Sequence, residues 1–460
     1  MEKQISFNRS LITLVIPIAL QNLIIATVGI ADVVMLGMIS QSAMSAVSLA
    51  GQITFVMTLF FFGISAGASI LAAQYWGKNK LCTIQRVLSI ACIFSLLTAF
   101  VFFVSSACFP NSLMRIFTKD VELIVYGAKY QQIVSFSYLI MSLSQVYLSV
   151  ARSIEKVRFS AIVSSMCLIL NIALNAVVIF VLYPGQSEKA IMGVATSTVI
   201  VRCVEFICCV IFSKRKGYIK FKLPKRDNIQ KQLVQDYLRY TLPIQGNYIV
   251  WGVATAATAA IIGHVDSDMV AANSIVSVVR NLAIVLCSGI ATGGSILIGK
   301  YLGSGDIQFA KKAGKKLSVY ALMFGVIAGI SILLINPFIS DIVDLNDKAQ
   351  GYLNKMLYIC AYYCIGKSLN TTFIAGIFPA GGDSKFGFIC DTVVMWGIVL
   401  PLSFLCAFVW RADPMFLYMV ICLDEFIKLP AAFWRFCQYR WLNNITRNFS
   451  KTEKLFLEGK

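Results

Sequence analysis

Histidine occurs once in the 460 residues, as His264, and Asp, Glu, Lys and Arg together make up only 13%. These scarcities remove most catalytic chemistry. A zinc hydrolase needs a set of His and carboxylate ligands, and acid–base catalysis at neutral pH most often uses histidine. No H-E-x-x-H pattern or other nucleophile motif is present. Proline is also sparse, at 10 residues, so long apolar runs go unbroken. Cysteine is not scarce, but the 14 cysteines lie mostly inside apolar runs, as at Cys203 and Cys208-Cys209. They lack metal-ligand or disulfide spacing and read as small core hydrophobes. An enzyme, a metal centre and an organic cofactor are not expected.

What remains is apolar. Hydrophobic residues make up 58% and mean hydropathy is +0.77, the composition of a polytopic membrane protein. Twelve spans follow from runs of about 20 or more apolar residues. They are roughly 9–36, 43–76, 82–109, 121–150, 158–182 and 189–213, then 235–263, 267–301, 308–336, 348–377, 385–410 and 415–437. The N-terminal run is too long for the apolar core of a signal peptide and no A-x-A site follows it, so the first span is expected to stay.

Forty basic residues against 22 acidic ones give a net charge of +18. Their placement explains it. With the N-terminus inside, Arg86, Arg152, Arg158, Lys311, Lys315 and Arg440 all fall on the inner side, while the outer loops hold acids such as Asp266 and Asp268. This is the positive-inside pattern. It puts both termini in the cytoplasm and needs no nucleic acid as partner.

The only long polar interior stretch, about 214–234, is basic from Lys214 to Lys231. It suits a cytoplasmic connection lying against anionic headgroups. It separates two related halves. At a constant offset of 226, without a gap, Pro17–Gly77 lies over Pro243–Gly303, matching Pro17 with Pro243, Gly37 with Gly263, Gly63 with Gly289, Gly67 with Gly293, and Tyr75 with Tyr301. Six spans per half keep both halves in the same orientation, a parallel repeat, and such folds bind substrate between the halves. The expected organisation is an N-terminal six-helix bundle (1–213), a linker (214–234), a C-terminal six-helix bundle (235–440) and a cytoplasmic tail (441–460). The pairs Gly63/Gly67 and Gly289/Gly293 read as packing seams, because small residues four apart let helices approach closely.

Polar residues inside spans mark candidate sites. The first span carries Pro17, which should bend it, and Asp32, whose carboxylate costs about 2.5–3.5 kcal/mol near a helix centre. Asp32 either faces a cavity, a cation or a partner, or reaches water at the outer interface. The fifth span holds Asn171 and Asn175, one turn apart on one face. Two carboxamide oxygens beside a carboxylate can coordinate Na⁺ or hydrogen-bond a protonated Asp; interhelical hydrogen bonding accounts for them equally. Thr196 and Thr198 on the sixth span offer hydroxyls. Arg202 and Glu205 are three apart and read as an internal ion pair, as do Glu425 and Lys428. Arg280 and Asp391 have no local partner of opposite sign, so each either pairs across helices or lines a cavity. Gln21, Asn22, Gln52, Asn247, Arg280 and Asp391 are the candidates for a substrate cleft. Gly294–Lys300 fits the spacing of a phosphate-binding loop, but Tyr301 stands where the Mg²⁺-binding hydroxyl belongs and no strand precedes it, so ATP is not expected as the energy source.

The chain resembles the multidrug and toxic compound extrusion (MATE) family. The resemblance rests on Pro17 and Asp32, the glycine-bearing ends of spans two and eight, Asn171 and Asn175, the run Ala380-Gly-Gly-Asp383-Ser-Lys-Phe, and Trp441-Leu-Asn-Asn. It implies two six-helix bundles and a bacterial inner-membrane exporter of organic cations such as drugs and dyes, driven by H⁺ or Na⁺ antiport, with no cofactor and as a monomer. It carries the coupling role to Asp32, the helix bend to Pro17 and a coupling position to Asn171; with Asn175 these give a candidate Na⁺ site at Asp32, Asn171 and Asn175, Thr196 is a further cation-coupling candidate, and the repeat places the second bend at Pro243. Asn175 stands where the DinF-like branch has Asp, which places the chain nearer NorM-like members and weakens a two-carboxylate relay. No acid lies between Gln245 and Ala259, where NorM-like members often carry Glu, which leaves Asp391 as the second-half candidate. A lipid or polysaccharide flippase of the same superfamily is the alternative.

The charge pattern is testable. Neutralising the lysines and arginines from Lys214 to Arg226 is expected to lower membrane insertion or abundance while transport per molecule holds; site-directed labelling of topology beside a transport assay checks it. Lost turnover at normal abundance and topology would assign the segment a mechanistic role instead.

Overall fold

The computed structural model describes residues 2–37, 40–215, 217–221, 230–342 and 345–447; the side chains of 2–6, 25–34, 36 and 340–342 are outside the described set. Every described element is helical and no strand occurs among the described residues. In a bilayer the backbone must satisfy itself, which a helix does within one segment. The first half contains α1 (Glu2–Gly37), α2 (Gln41–Gly77), α3 (Leu81–Cys108), a short α4 (Pro110–Arg115), α5 (Val121–Ser153), α6 (Val157–Leu182, ending in a π-helical turn from Val177) and α7 (Ser187–Ser213). The second half contains α8 (Lys231–Val265), α9 (Ser267–Ala283), α10 (Val285–Ser304), α11 (Ile307–Ile342), α12 (Asp347–Asn370, continued by a π-helical turn Thr371–Ile377), α13 (Ser384–Val409), α14 (Pro414–Ile421) and α15 (Asp424–Cys437).

Ten helices among the described residues are long and apolar enough to cross a membrane. The two remaining expected spans are helical too. One carries Lys348, Lys355 and Lys367 on α12; the other breaks between α14 and α15 and carries Asp424, Glu425 and Lys428. The architecture is all-α, consistent with twelve spans in two six-helix bundles.

The repeat extends beyond the stretch where residue identities reveal it. Helix starts at Gln41 and Ser267, Leu81 and Ile307, and Val121 and Asp347 are all 226 apart; Val157 and Ser384, and Ser187 and Pro414, are 227 apart. The caps repeat as well. Ser40 accepts the Ala43 amide at 3.0 Å and Asp266, 226 residues on, accepts that of Asp268 at 2.9 Å. Asp120 accepts from Glu122 at 2.9 Å, and Asn346 from Ala349 at 2.8 Å. Each cap satisfies an amide that the first turn leaves without a partner. The two copies differ in the middle of the second span: α2 is continuous, whereas its counterpart breaks at Ile284 into α9 and α10.

The chain forms two compact units, one of residues 20–241 and one of 1–19 with 242–447. The division falls inside α1 and α8, within two residues of Pro17 and Pro243, each of which interrupts its helix's hydrogen-bond ladder. Small residues explain why the helix starts pack where they do. In the first unit a Cβ on Gly67 would lie 1.9 Å from the Thr241 hydroxyl oxygen of α8. In the second unit a Cβ on Gly293 would lie 3.2 Å from Val15 of α1, and one on Gly289 3.2 Å from the Val15 carbonyl oxygen. Under the repeat Gly67 corresponds to Gly293 and Val15 to Thr241, so these are two copies of one contact. The glycines are packing seams.

Each unit has its own core. In the first, Met57, Phe61, Val134, Tyr138 and Ala195 cluster, and a polar chain crosses them: Gln131 donates to Tyr138 at 2.6 Å and to Ser106 at 2.8 Å, and Thr54 meets Tyr138 at 3.0 Å. The expected Arg202–Glu205 pair is present at 2.6 Å. The start of the basic connection, expected to lie against headgroups, packs on the first unit: Phe221 stacks on Tyr147 at 4.7 Å and Tyr218 packs edge-on to Phe159 at 5.5 Å. Residues 222–229 of the connection lie outside the described residues.

In the second unit Met269, Leu353, Met356, Leu357 and Leu417 centre the core. Two sequence motifs meet here. Trp441 is fully buried and stacks on Phe436 at 5.6 Å, and Arg435 grips Asp383 with two bonds of 2.7 and 2.8 Å. A Cβ on Gly381 would lie 1.5 Å from the Trp441 carbonyl oxygen. The first residues of the tail are therefore part of the unit, while 448–460 lie outside the described residues. At the opposite end Lys348 binds Asp266 at 2.6 Å, and that contact holds the Asp266 carboxyl below its ordinary range. A lowered carboxyl pKa stabilises the fold above the ordinary carboxylate pKa and loses that contribution as pH falls through the folded value.

The glycine seam generates a test. Gly67→Ala is expected to destabilise the protein by about 1–3 kcal/mol through overpacking against Thr241. Gly51→Ala, where a Cβ meets nothing within 4 Å, should be neutral or stabilise by up to about 1 kcal/mol. Thermal unfolding of the purified variants followed by size-exclusion chromatography separates the two.

Candidate functional site

The residues singled out in the sequence fall into two places, one in each unit. In the first unit Asn171 and Asn175 share a face of α6, and the Asn175 amide donates to the Asn171 oxygen at 3.4 Å. Asn175 is buried. It stands three residues before Val178 in the π-helical turn, a distortion frequent at functional sites. Asp32 lies in the last two turns of α1, and its side chain is outside the described residues. Met35, three residues on, packs on the cluster formed by Ala43 and Val47 of α2, Val178 and Ile179 of α6, and Ile191 and Val194 of α7. Thr196, by contrast, donates to its own helix at the Met192 carbonyl, 2.8 Å away. Thr198 does the same to Val194 at 3.1 Å. A bond of this kind occupies the hydroxyl's single proton and leaves its lone pairs.

The second unit holds a charged cluster on α12, α13 and α15. Glu425 is its hub. Lys367 donates to Glu425 Oε1 at 2.8 Å and Asn370 to Oε2 at 2.9 Å, and Lys428 approaches Oε1 at 3.4 Å. Lys428 also meets Asp391 and Asp424, each at 3.1 Å. The side chains of Glu425 and Lys428 are 1% and 3% exposed, so these charges are met by one another and not by solvent, with three carboxylates sharing two ammonium groups. Asp391, which the sequence left open between pairing and cavity, pairs across helices.

Beside the cluster lies a cavity of about 370 Å³ between α8, α9, α12, α13, α14 and the start of α15. Arg280, Lys367 and Asp424 are its charged walls, and Trp251, Tyr363 and Met395 are among its apolar ones. Arg280 donates to Ser277 at 3.3 Å and lies 5.6 Å from the Tyr363 ring centre. Among the described residues it meets no carboxylate within 4 Å. Neither Asp391 nor Asn247 lines this cavity. Gln21 and Gln52 belong to the first unit, the former buried and the latter exposed, and Asn22 beside Gln21 is half-buried. The cavity's aromatic walls carried no sequence signal apart from hydrophobicity. Lys367 could have been foreseen as a partner for α15, since a lysine inside a span needs a carboxylate.

Comparison with known proteins agrees with this architecture. The chain is 25% identical over 401 residues to the transporter YisQ of Bacillus subtilis, covering 86% of this chain and 87% of that one. It is 23% identical over 417 residues to the multidrug resistance protein NorM of Photobacterium profundum, covering 89% and 90%. Its fold matches the outward-facing conformation of a multidrug resistance MATE family transporter of the MOP superfamily with a TM-score of 0.85 at 17% identity, over 95% and 96% of the two chains. The family model for MatE matches residues 17–177 and 225–405, the cores of both halves of the repeat. The chain belongs to the MatE family, whose members are membrane transporters and not enzymes.

Proposed function

We propose that this protein is a multidrug efflux transporter of the bacterial inner membrane that exports organic cations in exchange for H⁺ or Na⁺, with Asp32 as the coupling carboxylate. The family supports the transporter class, and the NorM relative's name supports multidrug substrates. The observation that supports the coupling role is the contact of half-buried Asn171 with buried Asn175 beside a π-helical turn whose Val178 belongs to the cluster that Met35, three residues after Asp32, packs on. An acid within a span persists only if something offsets its desolvation. In this reading a proton or Na⁺ does so in one state, with Asn171 and Asn175 supplying oxygens. Pro17 lets α1 change shape between states. Coupling then requires that the ion and the drug favour different states, because a ligand shifts an equilibrium only by its differential affinity.

The test uses purified protein in proteoliposomes, with drug binding and gradient-driven transport scored separately. Asp32→Asn removes the charge and keeps the shape. It should fold and bind drug with affinity within a few-fold of wild type, yet lose ion-driven transport by about a hundredfold, the signature of a residue needed only for the coupled step. Asn171→Ala and Asn175→Ala should weaken coupling less, since each removes one neutral ligand. Wild-type transport by Asp32→Asn with unchanged ion dependence would overturn the proposal.

A further inference from the structure

The cavity in the second unit does not suit an organic cation. Its two fixed cations, Arg280 and Lys367, face it, and its one carboxylate, Asp424, is already bound by Lys428 at 3.1 Å. The other acids of the region are engaged too: Glu425 by Lys367 and Lys428, Asp391 by Lys428. A cationic ligand would therefore find no free carboxylate among the described residues here.

Arg280 is the reverse case. A guanidinium has five N–H donors, and the only hydrogen bond Arg280 makes among the described residues is to Ser277, at 3.3 Å. It is held in place by Ser277 and by the Tyr363 ring, with its remaining donors available to the cavity. A second group points to a ligand. Tyr418 is 1% exposed and lines the same cavity, and among the described residues its hydroxyl has the Cys422 thiol beside it but no oxygen or nitrogen partner. A thiol is a weak partner for a buried hydroxyl, and a bound acceptor would satisfy it better. The cavity opens at Thr255 and Asn281, which are exposed, so a solute can enter from the surface of the unit.

We infer that this cavity binds the carboxylate of a small aromatic solute, with Arg280 as its bidentate anchor. Arginine and carboxylate match in a two-bond fork. Trp251, Tyr363 and Met395 supply the apolar and aromatic walls for the rest of the molecule. A volume of about 370 Å³ admits such a solute and is too small for a two-chain lipid. The inference goes beyond the cation-export reading, which concerns Asp32 in the other unit.

The experiment is equilibrium binding of tritiated 1-naphthaleneacetate to the full-length protein in nanodiscs, by scintillation proximity. Unlabelled acid, its methyl ester and 1-naphthylmethylamine serve as competitors. The acid should displace label at a concentration at least about tenfold lower than the neutral ester, and the amine should not displace it. Arg280→Gln should weaken acid binding by about tenfold or more, and Arg280→Lys by less, because lysine keeps the charge and loses the fork. Equal competition by ester and acid, displacement by the amine, wild-type affinity in Arg280→Gln, or no saturable binding would each overturn the inference. The ester comparison uses only wild-type protein, so it decides the matter if the variants fold poorly. Organic-cation transport by the same wild-type preparation is read separately, and its loss bears on the proposed function alone.

Discussion

A charge inside an apolar helix bundle must be cancelled where it stands, and in the second unit that requirement centres on Lys428 and Glu425. Neither side chain reaches solvent. Lys428 touches three carboxylates, and Glu425 takes Lys367, Lys428 and Asn370. Removing Lys428 would leave buried carboxylates uncompensated, at a cost of about 3–5 kcal/mol. The cluster thereby ties α12, α13 and α15 together with more directional force than the surrounding leucines and methionines provide. It also spends every acid of the region, which is what leaves Arg280 as a cation on the cavity wall without a carboxylate partner among the described residues.

The repeat shows how one scaffold carries two chemistries. Helix starts, caps and glycine seams recur at 226 or 227 residues. The charges recur only in part. At an offset of 226 Arg280 corresponds to Thr54 and Lys367 to Met141, and at 227, the offset of the last helices, Lys428 corresponds to Val201, beside Arg202. Opposite Arg280 and Lys367 the first unit has the neutral chain of Thr54, Tyr138 and Gln131, and its own ion pair is Arg202–Glu205. Backbone geometry tolerates few alternatives at a seam, since a Cβ on Gly67 would strike Thr241. A position facing a cavity tolerates many. The duplicated framework and the divergent lining follow from that difference in constraint.

Most of the framework was legible in the sequence because its causes are local. Apolar runs, basic inner loops, helix-breaking prolines and i, i+3 ion pairs such as Arg202–Glu205 are all read within one or two turns. What depends on contacts distant in sequence was not. Trp441 reads as tail yet is buried against Gly381 and Phe436, and Tyr218 and Phe221 sit in a basic stretch that reads as a connection against headgroups yet pack on the first unit. Asp391 could be assigned to Lys428 only once α13 and α15 were placed side by side. The Asn171–Asn175 pair lay in between: spacing put both on one face, and only packing showed that Asn175 is buried.

The central claim is that an ion gradient, coupled through the first unit, drives export of organic cations. The most direct measurement is accumulation of a fluorescent organic cation in everted membrane vesicles containing the protein, with lumenal H⁺ and lumenal Na⁺ gradients imposed separately. The account predicts accumulation driven by at least one of the two gradients, abolished by the matching ionophore and requiring no nucleotide. Accumulation that needs ATP, or that neither gradient supports, would contradict it.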